Sequence, residues 1–95
     1  LEVMSPTERL SVLQAVADPV RFRLLDELAS GTQCVCNLQD RIDIAPNLLS
    51  YHLKVLREAG LVAGTRRGRW IDYALTDDAR ERMRASLPGT RLERP

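Results

Sequence analysis

Aromatic residues are scarce in this chain: one Trp, one Phe and two Tyr among 95 residues. A core built from it must therefore be aliphatic. No apolar run approaches the roughly 18 residues that a membrane-spanning helix needs, so no membrane partner is expected. No basic-then-apolar segment opens the chain, which leaves secretion without support. The chain starts at Leu1 rather than Met, and residues upstream are expected to be missing. No acid pair, Gly-rich phosphate loop or complete metal triad appears. Ser50 and His52 stand two apart on one predicted helix and cannot face each other. An enzyme is thus the least supported class. There are only two cysteines, Cys34 and Cys36. A zinc ribbon would need a second pair, and the spacing is not the redox C-x-x-C motif.

What is present suits a single globular domain: 44% hydrophobic and 28% charged residues in 10.7 kDa. A domain this small buries only roughly 60% of its unfolded surface and often gains stability by dimerising. The net charge of +1 hides an asymmetry. Residues 1–43 carry four Arg against seven acids. Residues 44–75 carry Lys54, Arg57, Arg66, Arg67 and Arg69 against only Glu58 and Asp72. A basic stretch confined to the middle of the chain suits a surface that faces a polyanion.

Local signals order the elements. Ser5-Pro6-Thr7-Glu8 has capping-box spacing and opens a helix carrying Leu10, Leu13, Val16 and Ala17 on its apolar stripe. Asp18-Pro19 starts a second helix with Val20, Leu24, Leu25 and Leu28 inward, ended by Gly31. A third helix is predicted over Thr32–Ile44, with Val35, Leu38 and Ile42 inward. Pro46 opens a fourth, which runs to Gly60. The period then changes. Leu61–Thr65 and Trp70–Leu75 read as two strands around Arg66-Arg67-Gly68-Arg69, a hairpin with a basic tip. Thr76-Asp77-Asp78 caps a last helix carrying Ala79, Met83 and Leu87, stopped by Pro88-Gly89. The predicted domain spans residues 5–88. Residues 89–95 are expected to be a disordered tail, partly foreign to the native chain.

The expected fold is mostly α with a small β-hairpin: a winged helix-turn-helix, dimeric. A helix fits the roughly 12 Å major groove and reads base edges. A basic wing meets phosphates or an adjacent minor groove. Asn47, Leu48, Ser50, Tyr51 and Lys54 on the fourth helix, with Arg66, Arg67 and Arg69 on the wing, are the candidate contacts to double-stranded DNA. Asn47, Ser50 and Tyr51 suit bases, and Lys54 suits phosphate. Each has a plainer reading as well. Asn47 can face water, Ser50 can bond back to a carbonyl, and the Tyr51 ring can cover apolar atoms. His52, the lone histidine, reads as structural.

Three stretches resemble one family. Ala45-Pro-Asn-Leu-Leu-Ser-Tyr-His-Leu-Lys-Val-Leu-Arg-Glu-Ala-Gly-Leu-Val62 looks like the recognition helix of the ArsR/SmtB family of bacterial metal-sensing repressors. Ala17-Asp-Pro-Val-Arg-Phe-Arg-Leu-Leu25 resembles the opening of its second helix. Arg67-Gly-Arg-Trp-Ile-Asp-Tyr-Ala-Leu75 resembles its wing and second strand. One departure is Ala45, where family members often place Ser. It loses a side-chain N-cap that Pro46 at N1 partly replaces. The resemblance implies a homodimer built from the first and last helices, with Leu10, Leu13, Ala79, Met83 and Leu87 as interface candidates. It also implies a pseudo-palindromic operator and a cytoplasmic setting.

The cysteines have a chemistry of their own. In a regular α-helix residues i and i+2 lie about 200° apart, so both thiols converge only where the helix start is non-helical or unwinds. Their plain reading is as small buried hydrophobes. The run Cys34-Val-Cys-Asn-Leu38 resembles the one that opens the helix before the recognition helix in arsenic-sensing members. The resemblance implies a repressor that needs no cofactor to bind DNA and is released when Cys34 and Cys36 take up As(III) or Sb(III). Some members place a third cysteine where this chain has Gln39. The third sulfur these ions favour would then come from elsewhere, be replaced by solvent, or be absent. Two thiolates also suit linear Hg(II), whereas Cd(II) or Zn(II) would want about four ligands. The last helix has Asp77, Asp78 and Glu81 but no His, which argues against the family's other zinc site. Two alternatives stay open: a thiol redox or other soft-metal (Hg, Cd) sensor, and a DNA-binding regulator with no sensing role. The strain of a disulfide between i and i+2 weighs against the redox form.

Overall fold

Three helices begin on a proline, and each start is local chemistry. The computed structural model describes residues 3–90. Helix α1 spans Pro6–Val16, α2 Pro19–Leu28, α3 Val35–Arg41, α4 Pro46–Glu58 and α5 Ala79–Ser86. Strands β1 (Gln33–Cys34), β2 (Val62–Arg67) and β3 (Trp70–Leu75) form an antiparallel sheet in the order β1-β3-β2. The capping box of α1 is complete: Glu8 N–H donates to Ser5 Oγ at 3.1 Å, and Ser5 N–H donates to Glu8 Oε1 at 2.8 Å. Asp18 Oδ2 accepts from the N–H groups of Val20 and Arg21 at 3.1 and 3.2 Å. Ala45 caps α4 with no side-chain bond, as its methyl requires.

The core is aliphatic. Val12, Leu24, Leu28, Leu38, Leu49, Leu53, Leu56, Leu61 and Val62 are essentially inaccessible, and Tyr73 is the one aromatic residue buried with them. Helix α4 ends in a Schellman turn. Leu61 N–H reaches the Leu56 carbonyl and Gly60 N–H the Arg57 carbonyl, both at 3.0 Å. Gly60 has φ of 79°, the left-handed conformation that this turn needs and that glycine adopts without a Cβ clash. The turn swings the chain directly into the hairpin.

Three expectations change. The segment predicted as a helix from Thr32 to Ile44 begins instead as β1, and its helix is confined to Val35–Arg41. Gln33 pairs with Tyr73 and Cys34 with Asp72, partners some forty residues away that local periodicity cannot register. Strand β2 runs on to Arg67, so Arg66 and Arg67 lie in the strand and the turn is only Gly68-Arg69, with φ of 63° at Gly68. In α5, Asp78 holds the N-cap position without a side-chain bond, and Thr76 Oγ1 instead donates to the Gly60 carbonyl at 2.8 Å. Of the expected tail, residues 91–95 lie outside the described residues. No described helix is long and apolar enough to cross a membrane.

Candidate nucleic-acid interface and thiol site

Helices α3 and α4 form the helix-turn-helix. Ile42 closes α3 and is buried, and Gln39 Nε2 donates to the Ile44 carbonyl at 2.6 Å, holding the turn. Gln39, which stands in place of a third cysteine, is therefore engaged with backbone. On α4 the apolar face of Leu49, Leu53 and Leu56 is buried, which turns Asn47, Leu48, Ser50, Tyr51 and Lys54 outward together. Leu48 and Tyr51 are 48% and 55% exposed. All five candidates on α4 thus share one open surface.

The middle of that helix is held by a polar junction. Arg21 Nη1 lies 3.0 Å from His52 Nδ1, and Asp18 Oδ2 lies 3.8 Å from the same nitrogen. His52 is mostly covered, with Tyr51 edge-on to its ring. The lone histidine is a structural residue of the α2–α4 contact.

The wing separates its arginines. Arg66 and Arg69 are exposed, and Arg66 Nη1 donates to the Gly68 carbonyl at 3.3 Å. Arg67 is engaged within the hairpin: its Nε and Nη2 donate to the two carboxylate oxygens of Asp72 at 2.7 and 3.1 Å. The hydrogen bonds and the charge of the partner raise the Arg67 pKa and lower that of Asp72. Trp70, beside them, is 46% exposed. Sequence reasoning missed Asp72. The turn at Gly68-Arg69 was its signal, since a two-residue loop makes Arg67 and Asp72 diagonal neighbours across the hairpin.

Cys34 is not helical. It is the last residue of β1 and the N-cap of α3, with φ −64° and ψ 145°, while Cys36 lies in the first turn. The extended backbone at Cys34 brings the two side chains to one side, with their Cα atoms 5.2 Å apart and the two sulfurs paired. Cys36 N–H also donates to Cys34 Sγ at 3.2 Å. Of the two conditions for convergence, a non-helical start is the one met, because the helix starts after Cys34. Among the described residues no cluster of three or more His, Cys, Asp or Glu side chains assembles. The site as described offers two sulfurs.

Helices α1 and α5 pack together, tied by Arg9, which donates to the Ala85 and Leu87 carbonyls at 3.2 and 2.8 Å. Leu10 and Leu87 are exposed, and Leu13 and Met83 are half-buried. Ala79, expected at a dimer interface, is 1% exposed within the protomer and belongs to its core. Its place at the start of α5 turns it inward.

Residues 18–63 match the model of the arsR family of bacterial regulatory proteins. The arsenic resistance transcriptional regulator ArsR1 of Pseudomonas putida is 33% identical over 89 residues, covering 93% of this chain and 67% of that protein. The chain belongs to the ArsR family. The HTH-type transcriptional repressor SmtB of Mycobacterium tuberculosis is 41% identical over 66 residues, 70% of this chain. The match spans about half of SmtB, 49% of its length. A crystal structure described as a possible transcriptional regulator for arsenical resistance superposes with a TM-score of 0.74 at 39% identity, covering 79% of this chain and 78% of that one. The ArsR-family fold accounts for the winged helix seen here, with α3 and α4 as its helix-turn-helix and β2–β3 as its wing.

Proposed function

We propose that the protein is a transcriptional repressor that binds operator DNA as a homodimer and is released when Cys34 and Cys36 coordinate As(III) or Sb(III). The observation that carries this reading is the convergence of both sulfurs at the N-cap of α3, the first helix of the helix-turn-helix. Soft thiolates select thiophilic ions. An ion held there pulls on the segment that sets the angle of α4. The names of ArsR1 and of the possible arsenical-resistance regulator support the same effector class. The exposed face of α4 reads the major groove, and the outward wing arginines Arg66 and Arg69 meet phosphate. No cofactor is needed for DNA binding in this reading. The protein works in the reducing cytoplasm, where thiols persist.

The dimer uses the outer surfaces of α1 and α5. Leu10 and Leu87 are exposed there, and Leu10 lines a groove of about 350 Å³ together with Pro6, Arg9, Leu13, Ser86, Pro88 and Gly89. Two recognition helices then face successive half-sites. A coupling of about 1.4 kcal/mol between ion and DNA is tenfold in affinity, so about 3 kcal/mol suffices to empty an operator.

The test is an ultraviolet absorbance titration of the reduced protein with arsenite and antimonite. A saturable sulfur-to-ligand charge-transfer band that vanishes in Cys34→Ser is expected. No band, on protein with both thiols free, would sink the metalloid reading. A second reading, a thiol redox sensor, is favoured by the pairing of the two sulfurs. In it a peroxide takes two electrons and two protons from the thiols, and the Sγ–Sγ bond forms as the peroxide O–O bond breaks. Alkylation and mass spectrometry after peroxide treatment distinguish it. The redox reading requires loss of both alkylatable thiols together with loss of DNA binding.

A further inference from the structure

The three wing arginines are not equivalent. Arg67 presents Nε and Nη2 as a fork, and both tines are taken by Asp72. That fork is the edge a guanidinium offers to a phosphate. The Asp72 carboxylate therefore stands where a DNA phosphate oxygen pair would stand. Register is the cause: Arg67 faces Trp70 and Thr65 faces Asp72, which puts Arg67 and Asp72 on the same face, one step apart on the diagonal. Strand β3 is central, so its other edge is also occupied. There Asp72 pairs with Cys34. One residue thus has a wing arginine on its diagonal across one strand and a cysteine of the thiol site opposite it on the other.

We propose that Asp72 is a positioning residue of the wing: it withholds Arg67 from DNA as an internal phosphate mimic, and it relays the state of the Cys34–Cys36 site to the wing. The proposal rests on the DNA-binding and ion-responsive reading above. Directly opposed residues of an antiparallel pair have Cβ atoms about 4.5–5.5 Å apart. Whatever is bonded to Cys34 therefore changes the ground beside Asp72. The Arg67 side chain is 62% exposed, and an exposed pair of this kind is weak and exchangeable. A small displacement of Asp72 is enough to free or hold Arg67.

The experiment is a fluorescence anisotropy titration of a duplex of about 30 base pairs, long enough for two half-sites one turn apart. It is run over a salt series with the reduced full chain. Asp72→Asn is expected to steepen the dependence of log K on log salt by about 0.9 per freed arginine. Adding Arg67→Ala to Asp72→Asn is expected to remove that gain, and Asp72→Glu to restore wild-type behaviour. With sodium arsenite added, the fold loss of affinity is expected to be smaller in Asp72→Asn than in wild type. Equal salt slopes in wild type and Asp72→Asn overturn the proposal. So does a gain that survives in the double variant, because it then reflects lost negative charge alone. An equal arsenite response overturns the relay. Circular dichroism melts verify that each variant is folded. If the wild type binds no duplex DNA, the parent reading fails and this one with it. If the wild type binds and responds to arsenite but the slopes are equal, only this proposal fails.

Discussion

Arg21 Nη1 reaches His52 Nδ1 at 3.0 Å, joining the start of α2 to the middle of α4. The same guanidinium donates through Nε to the Ala15 carbonyl at 2.7 Å and through Nη2 to the Gln14 carbonyl at 3.3 Å. One side chain therefore caps the end of α1 and holds the exposed helix of the helix-turn-helix. Because the donor is a guanidinium, the ring presents Nδ1 as an acceptor.

Arg21→Ala removes three hydrogen bonds from a half-buried junction. Hydrogen bonds to charged groups contribute about 1.5–3 kcal/mol at best sites, and loss of this set is expected to cost about 2–3 kcal/mol. For a domain of this size that lowers Tm by on the order of 10 °C. Thermal melts followed by circular dichroism check it. A shift of only a degree or two would mean that the junction is ornamental.

Leu53 and Leu48 lie on opposite faces of the same helix. Leu53 is 1% exposed, and Leu53→Ala should cost about 3 kcal/mol by urea unfolding, the range for a buried Leu truncated in a core. Leu48 is 48% exposed, and Leu48→Ala should change stability by less than about 0.5 kcal/mol. Under the DNA-binding reading the ranking inverts for operator affinity measured on folded protein, where Leu48→Ala weakens binding. Similar unfolding costs for the two variants would contradict the orientation of α4 described here.

Arg66 and Arg69 reach outward at the wing tip. Each truncation to Ala is expected to weaken DNA binding uniformly across sequences and to flatten the salt slope by about 1. Truncating Asn47 should instead relax preference at a particular base position, by about 1–3 kcal/mol of discrimination if it makes a bidentate contact. Competition titrations with a panel of single-base operator variants separate the two patterns. A uniform effect from Asn47→Ala would remove it from the base-reading set.

The Asp72–Arg67 pair sets a pH window. The Asp72 pKa in the folded protein lies below its ordinary value near 3.8. Its contribution is therefore present above that ordinary value and is lost as pH falls through the lower folded value. From pH 6 to 8 the tie is constant. Carboxyl chemical shifts of Asp72 over an acid titration should show a midpoint below the ordinary carboxylate range that returns upward in Arg67→Ala. An unchanged midpoint would show that the pair does not persist in solution.

The cysteine site was half legible. That Cys34 and Cys36 could meet only outside a regular helix follows from helical geometry. That Cys34 is outside it follows from the pairing of β1 with β3, which the residues around Cys34 do not encode. Likewise the three wing arginines read as equal from their charge. The hairpin register made one of them a partner of Asp72.

The residues by themselves determined whatever depends on neighbours within a few positions. Ser5, Asp18 and the three prolines start helices because caps and the fixed proline φ act locally. The 3.6-residue apolar period of Pro46–Glu58 chose which face is buried, and so left Asn47, Ser50, Tyr51 and Lys54 outside. Gly68-Arg69 set the hairpin. Tertiary structure alone decided what depends on chain segments far apart: the strand at Gln33–Cys34, the burial of Ala79 inside the protomer, and the meeting of Arg21 with His52. Such contacts are selected by the packing of the whole chain, which no short window of sequence contains.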